Sequence, residues 1–323
     1  MRATILVLFL TTLLFSCKDK EEPTPDLTYK NRMKAFVIDI STYAKGLDSN
    51  FAIIPQNGIE LATIDGDDKG EPDLDYLNAI DGNGQEDLFY GYDLDDIATP
   101  SEDNAYLQRL LNISKNSGNT ILVTDYVSTL SKMDGSYQKN ETAGYISFAA
   151  DHRELDNIPA YPAHINNENS TTITHLAQAK NFLYLINPEP YTSKAEFINA
   201  VTATNYDILL MDLFFKDGTP FSANEINQLK TKANGGKRLI ISYMSIGEAE
   251  DYRYYWKSEW TTNPPTWVKA VNPNWPGNYK VAYWNEDWQN IIFGNDSSYL
   301  KMILDAEFDG VYLDIIDGFE FFE

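Results

Sequence analysis

Apolar and polar positions along this chain follow two alternating periods. Met33, Phe36, Val37, Ile40, Tyr43, Ala44 and Leu47 recur at helical spacing and predict a helix across 33–47. Short apolar runs of strand character then stand at 51–57, 87–93, 121–125, 145–151, 181–187, 206–212, 238–245 and 310–317. Helical segments are expected between most of them, at 106–115, 194–204, 222–233 and 298–306. The third is opened by a capping box of Ser222 and Glu225. Near-continuous apolar strands alternating with helices imply a parallel sheet covered by helices. Eight such strands favour an α/β fold closed as a (β/α)8 TIM barrel over an open doubly wound sheet. No glycine-rich phosphate loop follows any of them.

Nearly every strand-like run ends in a polar side chain: Asn57, Asp93, Asp125, Asp151, Asn187, Asp212, Ser245 and Asp314. In a barrel those ends converge on one mouth, where catalytic residues gather. Taken singly, each is explained as well by capping or loop solvation.

The first residues read differently. An apolar run at 4–15 follows Met1-Arg2 and stops at Ser16-Cys17, the pattern of a signal peptide ending in a lipobox. Residues 1–17 are therefore expected to be a lipoprotein leader, with the sole cysteine, Cys17, as the lipidation site. Residues 18–27, charged and proline-containing, are expected to be a flexible tether. Residues 28–323 remain as a single barrel domain. The expected location is the cell envelope, as an outer-membrane lipoprotein facing the periplasm or the surface. Contact with the membrane is expected only through the lipid. A net charge of −23 argues against nucleic acid and favours a cationic partner or substrate.

Most common chemistries lack their residues. His152, His164 and His175 have no zinc spacing and fall in or beside one irregular stretch. Ser245 in YMSIG lacks the first glycine of a nucleophile elbow. The acidic loop 65–75 departs from a calcium loop, with Lys69 at a ligand position and Tyr76 at the bidentate one. Neither a metal nor a cofactor is expected. Carboxylates and aromatics remain. Paired carboxylates serve glycoside cleavage, and the faces of Trp256, Trp284 and Trp288 suit stacking on sugar rings.

The segments IGEAEDYRYYW (246–256), VAYWNEDWQNII (281–292), FDGVYLDIIDGFEFF (308–322), IIPQNG (53–58) and IDGNGQEDLFYGYD (80–93) resemble glycoside hydrolase family 114. This is the endo-α-1,4-polygalactosaminidase-like family. The resemblance covers nearly all of residues 28–323 and implies a TIM barrel acting on an α-1,4-linked, galactosamine-containing polysaccharide. One departure is evident. The IGEAEDYR and GVYLDIID motifs, which come first in the usual family order, close this chain, so a circular permutation is expected. It places the strand at 310–317 beside that at 51–57. It also makes 156–180 an irregular surface crossing.

By the same resemblance Asp314 and Glu86 match the two catalytic carboxylates, with Asp314 as nucleophile and Glu86 as acid/base. Asp317 is the runner-up to Asp314. Asp212, Glu248, Arg253, Asn57, Asp125 and Trp284 join Asp317 as expected substrate-binding residues. Glu248 and Arg253 serve equally as a structural ion pair. The implied protein is a monomeric hydrolase with a polysaccharide as its partner. A non-catalytic carbohydrate-binding lipoprotein on the same scaffold is the competing reading, as is a glycosidase for another amino-sugar or uronic-acid polymer.

Overall fold

The computed structural model describes residues 28–323. The expected leader, Cys17 and the tether lie outside these residues. In chain order the elements are α1 (Thr28–Leu47), β1 (Ala52–Pro55), α2 (Leu74–Ala79), β2 (Gly82–Glu86), α3 (Ser101–Asn116), β3 (Thr120–Tyr126), α4 (Leu130–Ala143) and β4 (Ile146–Ala150). There follow β5 (Phe182–Tyr184), α5 (Lys194–Thr202), β6 (Ile208–Asp212), α6 (Ala223–Leu229) and β7 (Leu239–Ser245). The last are β8 (Glu248–Glu250), β9 (Val268–Val271), β10 (Asn278–Val281), α7 (Glu286–Ile292), α8 (Tyr299–Asp305) and β11 (Gly310–Asp314).

Eight of these strands are parallel. One sheet runs β1-β11-β7-β6-β5 and another β2-β3-β4. A parallel bridge from Gln56 to Gly84 joins β1 to β2. On the other side Phe148 of β4 meets Phe182 of β5, ring centres 5.7 Å apart. The strand at 310–314 pairs with 52–55, as the motif order predicts, and the register runs Ala52 to Gly310 and Pro55 to Leu313. A separate antiparallel sheet, β8-β10-β9, follows β7.

The core follows the periodicity closely. Met33, Phe36, Val37, Ile40 and Ala44 of α1 are all buried, which is the stripe their spacing prescribes. Ser222 and Glu225 form the capping box before α6. Residues 156–180 form no strand, only the short 3-10 turn Leu176–Gln178.

Two departures from expectation bear on the site. The second parallel strand is Gly82–Glu86, not 87–93. GNGQE carries no apolar side chain, so it gives no strand signal, yet it pairs with Thr120–Thr124 along its full length. Gly84 explains the composition: a Cβ there would lie 1.9 Å from the Tyr312 hydroxyl. The apolar run at 87–93 is instead a loop. The helix α4 was invisible for a related reason. Its buried face is Met133, Ser136 and Asn140, mostly polar, because it packs on a buried carboxylate, that of Asp125.

Candidate active site

The C-terminal ends of the parallel strands surround a cavity of about 850 Å³. Asn57 follows β1, Glu86 ends β2, Tyr126 ends β3, Asp212 ends β6, and Asp314 ends β11; all line it. Tyr184 of β5 and Tyr243 of β7 line it as well. The position is the one that a parallel α/β sheet assigns to its ligand, because the loops there are free to vary while the strands hold their ends rigid.

Glu86 is tightly held. Asn57 donates from Nδ2 to Oε2 at 3.0 Å, and its Oδ1 accepts the Glu86 backbone N–H at 3.0 Å. The Tyr126 hydroxyl donates to the other carboxylate oxygen. These two side-chain donors, one on each oxygen, fix the orientation of the carboxylate. Asp314 accepts a bond of 2.6 Å from the Tyr243 hydroxyl. Burial, and then the negative charge of Glu86, raise the Asp314 carboxyl to about 7. The two acids therefore sense one another across the cavity. Asp317 is raised to about 6, by burial first and then by Glu320. Asp87 reaches about 7 through burial, against the opposing pull of Arg153.

A second polar group forms the opposite wall. Arg253 bonds Asp212 at 2.7 Å and Glu250 at 2.6 Å, and Tyr252 donates to Glu250 at 2.6 Å. Burial raises Asp212 in spite of Arg253. Seven carboxylates line the cavity against three basic side chains, Arg153, Lys216 and Arg253.

The backbone is strained at the site. Asn57, Asp87 and Ile315 adopt φ of 57°, 58° and 57°. A β-branched residue in the left-handed region is costly, about 1–3 kcal/mol, and such strain concentrates at functional positions. Ile315 directly follows Asp314, and Asp87 directly follows Glu86. Gly247 makes room for the bend, since a Cβ there would sit 2.2 Å from the Ile315 carbonyl oxygen.

Of the residues singled out from the sequence, Asp314, Glu86, Asp212, Arg253, Asn57, Asp317 and Asn187 meet at this cavity. The others lie elsewhere. Asp125 is fully buried and accepts from the Phe89 and Tyr90 N–H groups, Ser136 Oγ and Asn140 Nδ2, so it fastens the 87–93 loop to α4. Glu248 is also buried and pairs with Lys280, not with Arg253. Trp284 packs on Tyr29 and Phe322, with the Arg32 guanidinium over its face. Trp288 is core and donates to the Ile246 carbonyl, and Trp256 stacks on Tyr279. The tryptophan that does line the cavity is Trp275. The strand-end rule was too broad as well: Ser245 is buried and donates to the Glu248 carbonyl, and Asp151 pairs with His152.

Sequence reasoning missed Tyr126, Tyr184, Tyr243, Glu250 and Arg153. Tyr126 sits one position beyond the polar residue taken as the strand end, which was a usable signal. Glu250 lies two positions from Glu248 in the same short strand, and no local pattern distinguishes the two. Among the described residues, no group of His, Cys, Asp and Glu is arranged to hold a metal ion.

Residues 162–322 match the model of glycoside-hydrolase family GH114. An uncharacterized protein of Methanocaldococcus jannaschii is 40% identical over 181 residues, 55% of this chain and 49% of the relative. Uncharacterized proteins of Thermotoga maritima and Deinococcus radiodurans are 40% and 39% identical over 38% of this chain, and 36% and 37% of their own lengths. The match thus spans about half or less of each relative.

Proposed function

Because the chain belongs to glycoside-hydrolase family GH114, we propose that it hydrolyses a polysaccharide with the Asp314–Glu86 carboxyl pair. The observation that carries this reading is their convergence. Both end parallel strands, both line the cavity, and the charge of Glu86 helps hold the proton on Asp314 near neutral pH. Glycoside cleavage needs one protonated and one ionised carboxyl flanking the bond. In the unliganded site the Asp314 carboxyl keeps its proton up to about pH 7. The family resemblance puts the nucleophile at Asp314 and the acid/base at Glu86. The proton must then pass to Glu86 once the sugar occupies the site.

The proposed substrate is an α-1,4-linked, galactosamine-containing polymer cut internally. The excess of carboxylates over bases in the cavity supports an amine-bearing sugar. The proposed fold is a closed eight-stranded barrel with permuted motif order. Its support is the β1–β11 pairing, the Gln56–Gly84 bridge, and the position of the family match on the segment carrying IGEAEDYR and GVYLDIID.

The test is incubation with deacetylated and acetylated galactosaminogalactan, with mass spectrometry of released oligosaccharides. Asp314→Asn and Glu86→Gln each remove most turnover, and kcat/KM falls above about pH 7 as the pair loses its proton. Azide added to glycine variants separates the roles. It restores turnover with an inverted glycosyl azide at the nucleophile and a retained one at the acid/base. Binding without release of any oligosaccharide would establish the non-catalytic reading instead.

A further inference from the structure

We propose that Trp275 and Tyr252 form a stacking platform on the cavity rim for a sugar ring beyond the bond being cleaved. Glu248 acts there as the positioning residue. The inference rests on the glycan reading above and adds a chain-length preference to it.

Trp275 and Tyr252 both line the cavity, and they are 61% and 62% exposed. Large aromatic faces left in water beside a cleft mark an interaction surface. Trp275 lies in the turn between β9 and β10, and three features hold that turn in place. The Asn272 N–H donates to the Asn278 carbonyl at 2.8 Å, and the Asp251 N–H to the Gly277 carbonyl at 2.8 Å. The Glu248 carboxylate, wholly buried, collects Asn272 Nδ2 at 2.9 Å, Asn278 Nδ2 at 3.1 Å and Lys280 Nζ at 2.5 Å. Gly277 has φ of 94°, and a Cβ there would lie 3.5 Å from the Tyr252 ring and 3.0 Å from Asp251 Oδ1.

Each feature has a physical consequence. A buried carboxylate is unfavourable unless donors replace its water, and here the donors come from both ends of one turn. The turn is therefore fixed from below. The left-handed glycine lets it sit directly against Tyr252. Tyr252, Pro276 and Trp275 all line the cavity together with Glu250, and the Arg253 guanidinium lies 5.3 Å from the centre of the Tyr252 ring. A pyranose ring pairs a polar edge with an apolar C–H face. An acidic floor bordered by flat aromatic side chains matches both surfaces. Chains long enough to reach the rim gain this contact, and short ones do not.

The test uses α-1,4-linked galactosamine oligosaccharides graded by length. Trp275→Ala lowers kcat/KM about tenfold on the longest chains, through KM, and leaves the shortest cleavable chain unchanged. Trp275→Tyr keeps most of the long-chain rate. Glu248→Gln reproduces the length-dependent loss and adds little in combination with Trp275→Ala, as expected if both act on one contact. Equal losses on short and long chains, or no loss on long ones, would overturn the platform. If the wild-type protein cleaves none of the glycans, the hydrolase reading falls, but the platform is still tested by affinity electrophoresis on deacetylated galactosaminogalactan. Retardation of wild type that is lost in Trp275→Ala supports it, and equal mobility of the two overturns it.

Discussion

Replacing Asp314 by Asn should stabilise the protein, and only at neutral or alkaline pH. The Asp314 carboxyl titrates at about 7 in the fold, against an ordinary value of 3.8. The folded state therefore holds this proton more tightly than the unfolded chain does. Between about pH 4 and pH 7 the native protein binds the extra proton, so stability falls as pH rises through that window. Below it both states are protonated and the group contributes no cost. Above it the full cost is present, with a ceiling of about 4 kcal/mol at 1.36 kcal/mol for each pH unit. The carboxyl faces a cavity that water enters, so roughly 1–3 kcal/mol is the expected gain, or about 2–5 °C in Tm for a domain of this size. Asn is nearly isosteric and keeps an oxygen to accept from Tyr243. Thermal unfolding of wild type and Asp314→Asn at pH 4 and pH 8 measures the difference. The two should coincide at pH 4 and separate at pH 8, with Asp314→Asn the more stable. In a Glu86→Gln background the separation should shrink, because the Coulombic part of the shift is removed while burial remains. A Tm difference of the same size at both pH values, or a less stable variant at pH 8, would refute the reasoning.

Other perturbations test the supporting structure. Asp125→Ala should cost about 2–5 kcal/mol by leaving the Phe89 and Tyr90 N–H groups and the Ser136 hydroxyl without their acceptor, read from chemical denaturation. Gly84→Ala should destabilise by about 2 kcal/mol or more and lower the proposed activity, since its methyl group would overlap the Tyr312 hydroxyl between β2 and β11. Cys17→Ser should move the protein out of the membrane fraction when cells are fractionated, because the proposed attachment is a lipid on that residue. Recovery of that variant with the membrane would refute the anchor. Among the described residues no helix is long and apolar enough to cross a membrane.

The order of strands and helices was legible because burial imposes a period. The 3.6-residue stripe of α1 and the apolar runs of β6, β7 and β11 report their own environments, and each lies where the pattern put it. The motifs around Asp314 and Glu86 also pointed to two carboxylates that line the cavity. Failures came where a segment's surroundings are polar or its fit is steric. The strand Gly82–Glu86 is defined by what Gly84 leaves empty for Tyr312, and an absent side chain carries no hydrophobic signal. The helix α4 turns Ser136 and Asn140 inward to serve Asp125, so its inner face reads as surface.

The sequence by itself determined the alternation of elements, the acidic character and the strand-end carboxylates, since these depend on residues near one another in the chain. Only the tertiary structure decided which acids face the cavity. Asp125 and Glu248 carry the same carboxyl group as Asp212 and Glu86, but four donors enclose the first and three the second, while the other two open onto the site. The same holds for the tryptophans: Trp288 fills the core and Trp275 stands at the rim. Exposure depends on partners tens of residues away, and no local pattern encodes those partners.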